Sequence, residues 1–173
     1  MINRHLTHAH YLRVMETTLW KDIIPTQFNM SMDGRWISNW FSNLCVAPIT
    51  IDGFTWASTE NYYQAMKCLD TSHYAEYASM SPRDAKNKGR KIPLRPDWEE
   101  VKESVMEKAL CVKFATFPWC DLLLETGDEI IVEWNNWGDT YWGVDSRSCQ
   151  GFNKLGYLLM KIRDNLNKET EFK

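Results

Sequence analysis

Glu60, Tyr63, Gln64 and Lys67 place a carboxylate, a phenol, an amide and an amine at positions i, i+3, i+4 and i+7 of one segment. At 3.6 residues per turn they share one side of a helix, opposite an apolar side of Tyr62, Ala65, Met66 and Leu69. The ordinary reading of such a side is a solvated face with local charge pairing. The alternative is one wall of a ligand pocket, and three further stretches bear on that choice. The loop from Trp134 to Gly143 gathers three Trp and a Tyr around Asp139, where a loop needs turn formers. It reads either as a hydrophobic plug or as a stacking wall beside a carboxylate. The run from Pro82 to Arg95 sets Arg83, Lys86, Lys88, Arg90, Lys91 and Arg95 against one acid, Asp84. It is a solvated basic face, or a helix ending in Gly89-Arg90 that presents a guanidinium to a phosphate. At the start of the last helix, Asn153 either caps or meets a ligand. Together these residues describe a pocket lined by Glu60, Lys67, Asp139 and several aromatics, suited to a phosphorylated nucleoside-like ligand.

The elements that must position these groups are mostly helical. Ser58 to Leu69 reads as a helix directly after a hairpin over 47–56, in which Asp52-Gly53 suits a type I′ turn. Ser81-Pro82-Arg83-Asp84 is a helix start with Ser as N-cap, and Gly89 is its expected C-terminal stop. A longer helix begins at Arg95-Pro96-Asp97, with Trp98, Val101, Val105, Ala109 and Val112 as its apolar stripe. Pro118 opens another helical piece ending near Thr126-Gly127-Asp128, Ile130-Ile131-Val132 reads as a short strand, and residues 152–166 form an amphipathic helix. An N-terminal helix over 3–23 and a connector over 25–34 carry no functional signal. The expected class is mainly α: a single compact helical domain with a small β-hairpin and a short additional strand.

Composition narrows the function. The chain has 173 residues, a net charge of −3 and 44% hydrophobic content, enough for one core and without a nucleic-acid-like charge footprint. Nine Trp, seven Tyr and seven Phe supply flat surfaces for cores or for stacking bases and sugars. Five Cys with no C-x-x-C pair argue for reduced thiols and against a disulfide framework or a zinc site. No apolar run approaches membrane-spanning length, so the expected setting is the cytoplasm, with no metal, no cofactor, no membrane and no obligate protein partner. Phosphate-loop, dinucleotide, hydrolase-elbow and zincin patterns do not occur.

The same stretches, taken in order, resemble the NADAR (YbiA-like) family. The resemblance rests on Phe41-Ser42-Asn43, Asp52-Gly53-Phe54-Thr55-Trp56, Thr59-Glu60 through Lys67, Gly89-Arg90, Trp98 through Leu110, and Lys113-Phe114. It continues through Val132-Glu133, Asp139-Thr140-Tyr141-Trp142-Gly143 and Asn153 through Met160. Departures are Asn61 in place of the usual His, Lys154 in place of Arg, and Val144-Asp145 after the Trp-Gly pair. The boundaries expected are an N-terminal extension over 1–35, the family domain over 36–168 and a polar tail over 169–173.

The resemblance implies N-glycosidase activity on a ribose C1 joined to the exocyclic amine of an electron-poor base. Two substrate classes fit: ribosylaminopyrimidine phosphates of riboflavin biosynthesis, and ADP-ribosylated guanine in single-stranded DNA. Glu60, Lys67 and Asp139 are the implied catalytic residues. Asn43, Tyr63, Gln64, Arg90, Trp142, Gly143 and Asn153 are the implied substrate-binding ones. In the favoured route Lys67 attacks the opened C1 imine to give a Schiff base, with Glu60 carrying protons. A tight Glu60–Lys67 ion pair opposes that route by raising the lysine pKa, so water or Tyr63 is expected between them. The competing route is direct displacement through an oxocarbenium-like state stabilised by Glu60 or Asp139. A different class of reading is a non-catalytic module that binds ADP-ribose or a nucleotide.

Overall fold

The computed structural model describes residues 39–171, with side chains through 168. The helix and connector expected over 3–34 and the extension over 1–35 lie outside the described residues. Two compact units divide the rest, one over Asn39–Glu125 and one from Thr126 onward. The described residues contain six α-helices and two two-stranded β pairings, which is the mainly α class expected.

In the first unit, strands β1 (Ile49–Ile51) and β2 (Phe54–Trp56) pair antiparallel in the register Ile49↔Trp56 and Ile51↔Phe54. Asp52 and Gly53 both take positive φ, +53° and +81°, as a type I′ turn requires. Helix α1 (Thr59–Ala65) follows, capped by the Ser58 hydroxyl, which accepts from the Asn61 N–H. Helices α2 (Tyr74–Ser79), α3 (Pro82–Gly89) and α4 (Trp98–Phe114), together with β2, pack around α1. Helix α5 (Trp119–Leu124) closes the unit against α4. Trp56 anchors an aromatic core, edge-on to Tyr62 and Tyr74, with its indole N–H donated to Ile51 O.

Four expectations change here. The helix expected over 58–69 ends at Ala65, because the Lys67 and Cys68 N–H groups turn inward to the carbonyls three residues back and Arg95 N–H takes Lys67 O. All seven residues of α1 are buried, so its polar side is no solvated face. Gly89 does end α3, but without the left-handed conformation of a glycine stop: it is the last helical residue, buried, where a Cβ would come 2.0 Å from Gln64 Oε1. The buried set of α4 is Trp98, Met106, Ala109, Leu110, Lys113 and Phe114, one residue round from the expected valine stripe.

In the second unit, β3 (Trp134–Asn135) and β4 (Val144–Asp145) pair in parallel, and Val132, Trp134 and Val144 form a small core. The strand expected over 130–132 is not one. The Asn153 amide takes its place, accepting from Glu133 N–H at 2.9 Å and donating to Ile131 O at 2.9 Å. Helix α6 (Lys154–Glu171) buries Leu155, Leu158, Leu159 and Ile162 and runs on past residue 168. Arg163, buried on the same helix, donates to Thr126 Oγ1 and Glu129 O.

Candidate functional site

The first unit brings six of the implied site residues onto or beside α1. Glu60 is 5% and Gln64 4% exposed, and Gln64 Nε2 donates to Glu60 Oε1 at 2.7 Å. Glu60 Oε2 has no hydrogen-bond partner among the described residues. The backbone at Glu60 is fixed from outside the helix: Asn43 O accepts the Glu60 N–H at 3.1 Å, and Thr59 Oγ1 donates to Asn43 O and Oδ1. Asn43 Nδ2 turns to the sulfur of Met106 at 3.4 Å. The side chain of Asn43 is therefore engaged within the unit.

Lys67 stands one turn beyond the end of α1. Its ammonium nitrogen lies 5.5 Å from the centroid of the Tyr63 ring and 5.9 Å from that of Trp98, and those two rings meet edge-to-face at 5.0 Å. Among the described residues no ion pair joins it to Glu60. Burial pushes the Lys67 pKa below the ordinary lysine range; Glu60 opposes that, and the positive charges of Arg90 and Lys86 reinforce it. Arg90 is exposed at the C-cap of α3, and Lys86 lies four residues earlier, so both belong to the helix whose Gly89 presses on Gln64. Lys88 and Arg95, from the same basic run, are paired with Glu76 and Asp97.

The second unit holds the other four. Asp139 Oδ1 accepts the N–H groups of Tyr141 and Trp142 at 3.0 and 2.9 Å, and Asn135 binds the Asp139 backbone on both sides. Trp142 is half-buried, edge-on to Tyr141 at 5.3 Å. Gly143 has no room for a side chain, since a Cβ would come 2.2 Å from Glu133 O. The N–H groups of Phe152, Asn153, Lys154 and Leu155 all go to carbonyls of residues 140–143, so the start of α6 is closed by its own chain. Asn153 is fully buried, with φ +49°, and its amide holds the 131–133 backbone.

Three residues were missed in the sequence as parts of this arrangement. Trp98 was read as core stripe, yet it forms half of the aromatic slot for Lys67. Lys86 was counted only in a charge run. Lys113 is 0% exposed, its ammonium donating to Trp40 O at 2.6 Å and Ser42 O at 3.1 Å, which fastens the turn ahead of Asn43. A lysine between Leu110 and Phe114 on an apolar helix face was the one available signal. Asn61, the departure from the family pattern, points away from this chemistry. Its amide donates to Tyr77 O and Met80 O and accepts from Ser58, stitching α1 to α2. Among the described residues no His, Cys, Asp and Glu cluster fits a metal, the five cysteines are free, and no helix is long and apolar enough to cross a membrane.

A buried carboxylate and its amide partner on one short helix, with a lysine of lowered pKa just past its end, form an arrangement capable of acid–base chemistry in an aromatic setting. The NADAR domain model matches residues 27–167, and the chain belongs to that family. N-glycosidase YbiA of Escherichia coli (strain K12) is 45% identical over 130 residues, covering 73% of this chain and 80% of that protein. The NMR structure of the E. coli protein YbiA superposes with a TM-score of 0.72 at 39% identity, covering 86% of this chain and 89% of that one. The chloroplastic riboflavin biosynthesis protein PYRR of Zea mays is 35% identical over 129 residues, which span 66% of this chain but 20% of that protein.

Proposed function

We propose that this chain is an N-glycosidase that hydrolyses the bond between ribose C1 and an exocyclic amine of a nucleotide-like base, with Lys67 as nucleophile and Glu60 as proton carrier. The observation that carries this reading is the state of Lys67: set beside the touching Tyr63 and Trp98 rings, unpaired with Glu60, and held below its usual pKa. A neutral amine is what a Schiff-base route needs. The relatives named N-glycosidase support the reaction class.

An exocyclic aminal opens its sugar ring to a C1 imine. The Lys67 amine adds to that carbon, Glu60 gives a proton to the departing base amine, and the C1–N bond to the base breaks. The ribose is then held on Lys67 as an imine. Water adds to C1, with its proton taken by Glu60, and the C–N bond to Lys67 breaks to release the sugar and restore the amine. Glu60 Oε2, without a hydrogen-bond partner among the described residues, makes these transfers, while Oε1 stays with Gln64. Arg90 holds a substrate phosphate, and the Tyr63 and Trp98 rings keep water from the lysine.

Of the two substrate classes, the maize relative's name favours ribosylaminopyrimidine phosphates, as does the acidic overall charge. The test is base release followed by mass spectrometry on a ribosylaminopyrimidine phosphate and on a guanine-ADP-ribosylated oligonucleotide, each with Glu60→Gln and Lys67→Ala. The expected result is turnover of the pyrimidine, lost in both variants. Turnover of the oligonucleotide alone reverses the substrate assignment. A saturable thermal shift with ADP-ribose and no base release from either substrate makes the chain a binding module instead.

A further inference from the structure

Gln64 stood among the substrate-binding expectations, but its surroundings give it a different job. Its carboxamide is enclosed: Nε2 donates to Glu60 Oε1 at 2.7 Å, and Oε1 is a buried acceptor with no hydrogen-bond partner among the described residues. An orphaned buried carbonyl is costly, and buried polar groups in folded proteins rarely tolerate it. Turning the amide over does not relieve it, because that would aim the carbonyl oxygen at the Glu60 carboxylate. The donor is therefore committed to Glu60. The carbonyl end is seated on Gly89, where a Cβ would come 2.0 Å from Oε1 and 2.8 Å from Cδ. The lack of a side chain at Gly89 is what leaves room for the amide, and Gly89 precedes Arg90 on α3.

We infer that Gln64 is a positioning residue for the proton carrier: the Gln64–Gly89 contact pins one oxygen of Glu60 and leaves the other to the substrate. The inference rests on the N-glycosidase reading and reassigns a residue within that site. A charge-assisted donor held in a buried setting fixes both the rotamer of the carboxylate and which oxygen carries the proton. The same wedge ties the end of α3 to α1, so Arg90 and Lys86 keep their place near Lys67 through the contact that holds Glu60. The charges acting on Lys67 are Glu60 of this pair and Arg90 and Lys86 on α3.

The test uses the full chain with Gln64→Met and Gln64→Glu. The Met variant keeps the bulk and loses the donor. It is expected to keep the wild-type far-UV spectrum and a cooperative melt, with kcat down about tenfold or more and KM within about twofold. The Glu variant puts two carboxyl groups at hydrogen-bond distance, where they share a proton, so the acid-side limb of its pH–rate profile moves to higher pH. Unchanged kcat in the Met variant, or a rise in KM alone, overturns the inference, the second result marking a substrate contact. A substrate-free readout separates this from the reaction assignment. The Gln64 side-chain amide protons, followed by NMR, shift as Glu60 titrates and lose that response in Glu60→Ala. If wild type releases no base from any N-glycoside while this response is present, the N-glycosidase reading falls and the positioning contact stands. If the response is missing, the contact falls as well.

Discussion

Replacing Gly89 with alanine is ordinarily a stabilising change within a helix, worth about 1 kcal/mol through backbone entropy and propensity. Here it should destabilise. The added methyl would lie 2.0 Å from Gln64 Oε1, 2.8 Å from its Cδ and 3.0 Å from its Cβ, so the Gln64 side chain has to leave its seat. Overpacking of this kind costs about 1–3 kcal/mol. Displacing the amide also breaks its bond to Glu60, and a hydrogen bond to a charged group contributes about 1.5–3 kcal/mol. Set against the propensity gain, the net loss is about 3 kcal/mol. Urea unfolding of wild type and Gly89→Ala, followed by circular dichroism, reads this as a lower midpoint at an unchanged slope. Trimming the partner should rescue part of the loss. In the Gln64→Ala background the added methyl meets only the retained Cβ at 3.0 Å and no amide is displaced, so the two changes together cost less than their sum by about 2 kcal/mol or more. A Gly89→Ala protein as stable as wild type, or more so, refutes the close-approach argument and with it the seating of Gln64.

Further outcomes follow from the same geometry. Burial holds the Lys113 pKa down at about 8 from an ordinary 10.5, so below about pH 8 the folded protein carries the full cost of a buried charge. Between about pH 8 and 10.5 the unfolded chain binds more protons than the folded one, and stability contributed by this site rises with pH by as much as about 3 kcal/mol. Urea midpoints at pH 7 and 9.5 should therefore climb in wild type relative to Lys113→Met. The lowered Lys67 pKa gives base release an ascending limb with rising pH, and Lys67→Arg, cationic throughout, should bind substrate but not turn it over in steady-state kinetics. Asp139→Ala removes the acceptor for two backbone N–H groups and should cost about 1–2 kcal/mol by thermal melt, whereas Asp139→Asn keeps it. A loss of turnover confined to the Asn variant's kinetics, with its stability intact, reports a charge requirement at Asp139.

Local signals in the sequence were read correctly where one or two residues dictate the backbone. Asp52-Gly53 specified its turn, Ser81-Pro82 its helix start, and the leucine spacing of the last helix its buried side. Where the outcome depended on distant partners, the sequence misled. Gly89 was legible only as a helix end because its role as a seat for Gln64 depends on a helix that ends twenty-four positions before it. Ile130-Ile131-Val132 looked like a strand because nothing local shows that Asn153 supplies its hydrogen bonds. The burial of Lys113 had no local signature, since the carbonyls of Trp40 and Ser42 that make it tolerable lie some seventy positions earlier. Glu60, Tyr63, Gln64 and Lys67 were legible as a constellation, but the burial of the three on α1 was not. It follows from α1 being enclosed by α2, α3, α4 and β2, which no periodicity within α1 reveals.

The central claim is that Lys67 forms a covalent imine with the sugar during N-glycoside hydrolysis. Borohydride reduction during turnover of the ribosylaminopyrimidine phosphate, followed by peptide mass spectrometry, tests it most directly. The account predicts a reduced ribosyl phosphate adduct on the peptide carrying Lys67, absent from Lys67→Arg and absent without substrate. Steady turnover with no adduct, together with an active Lys67→Arg, would contradict it and leave Glu60 to act on an oxocarbenium-like state alone.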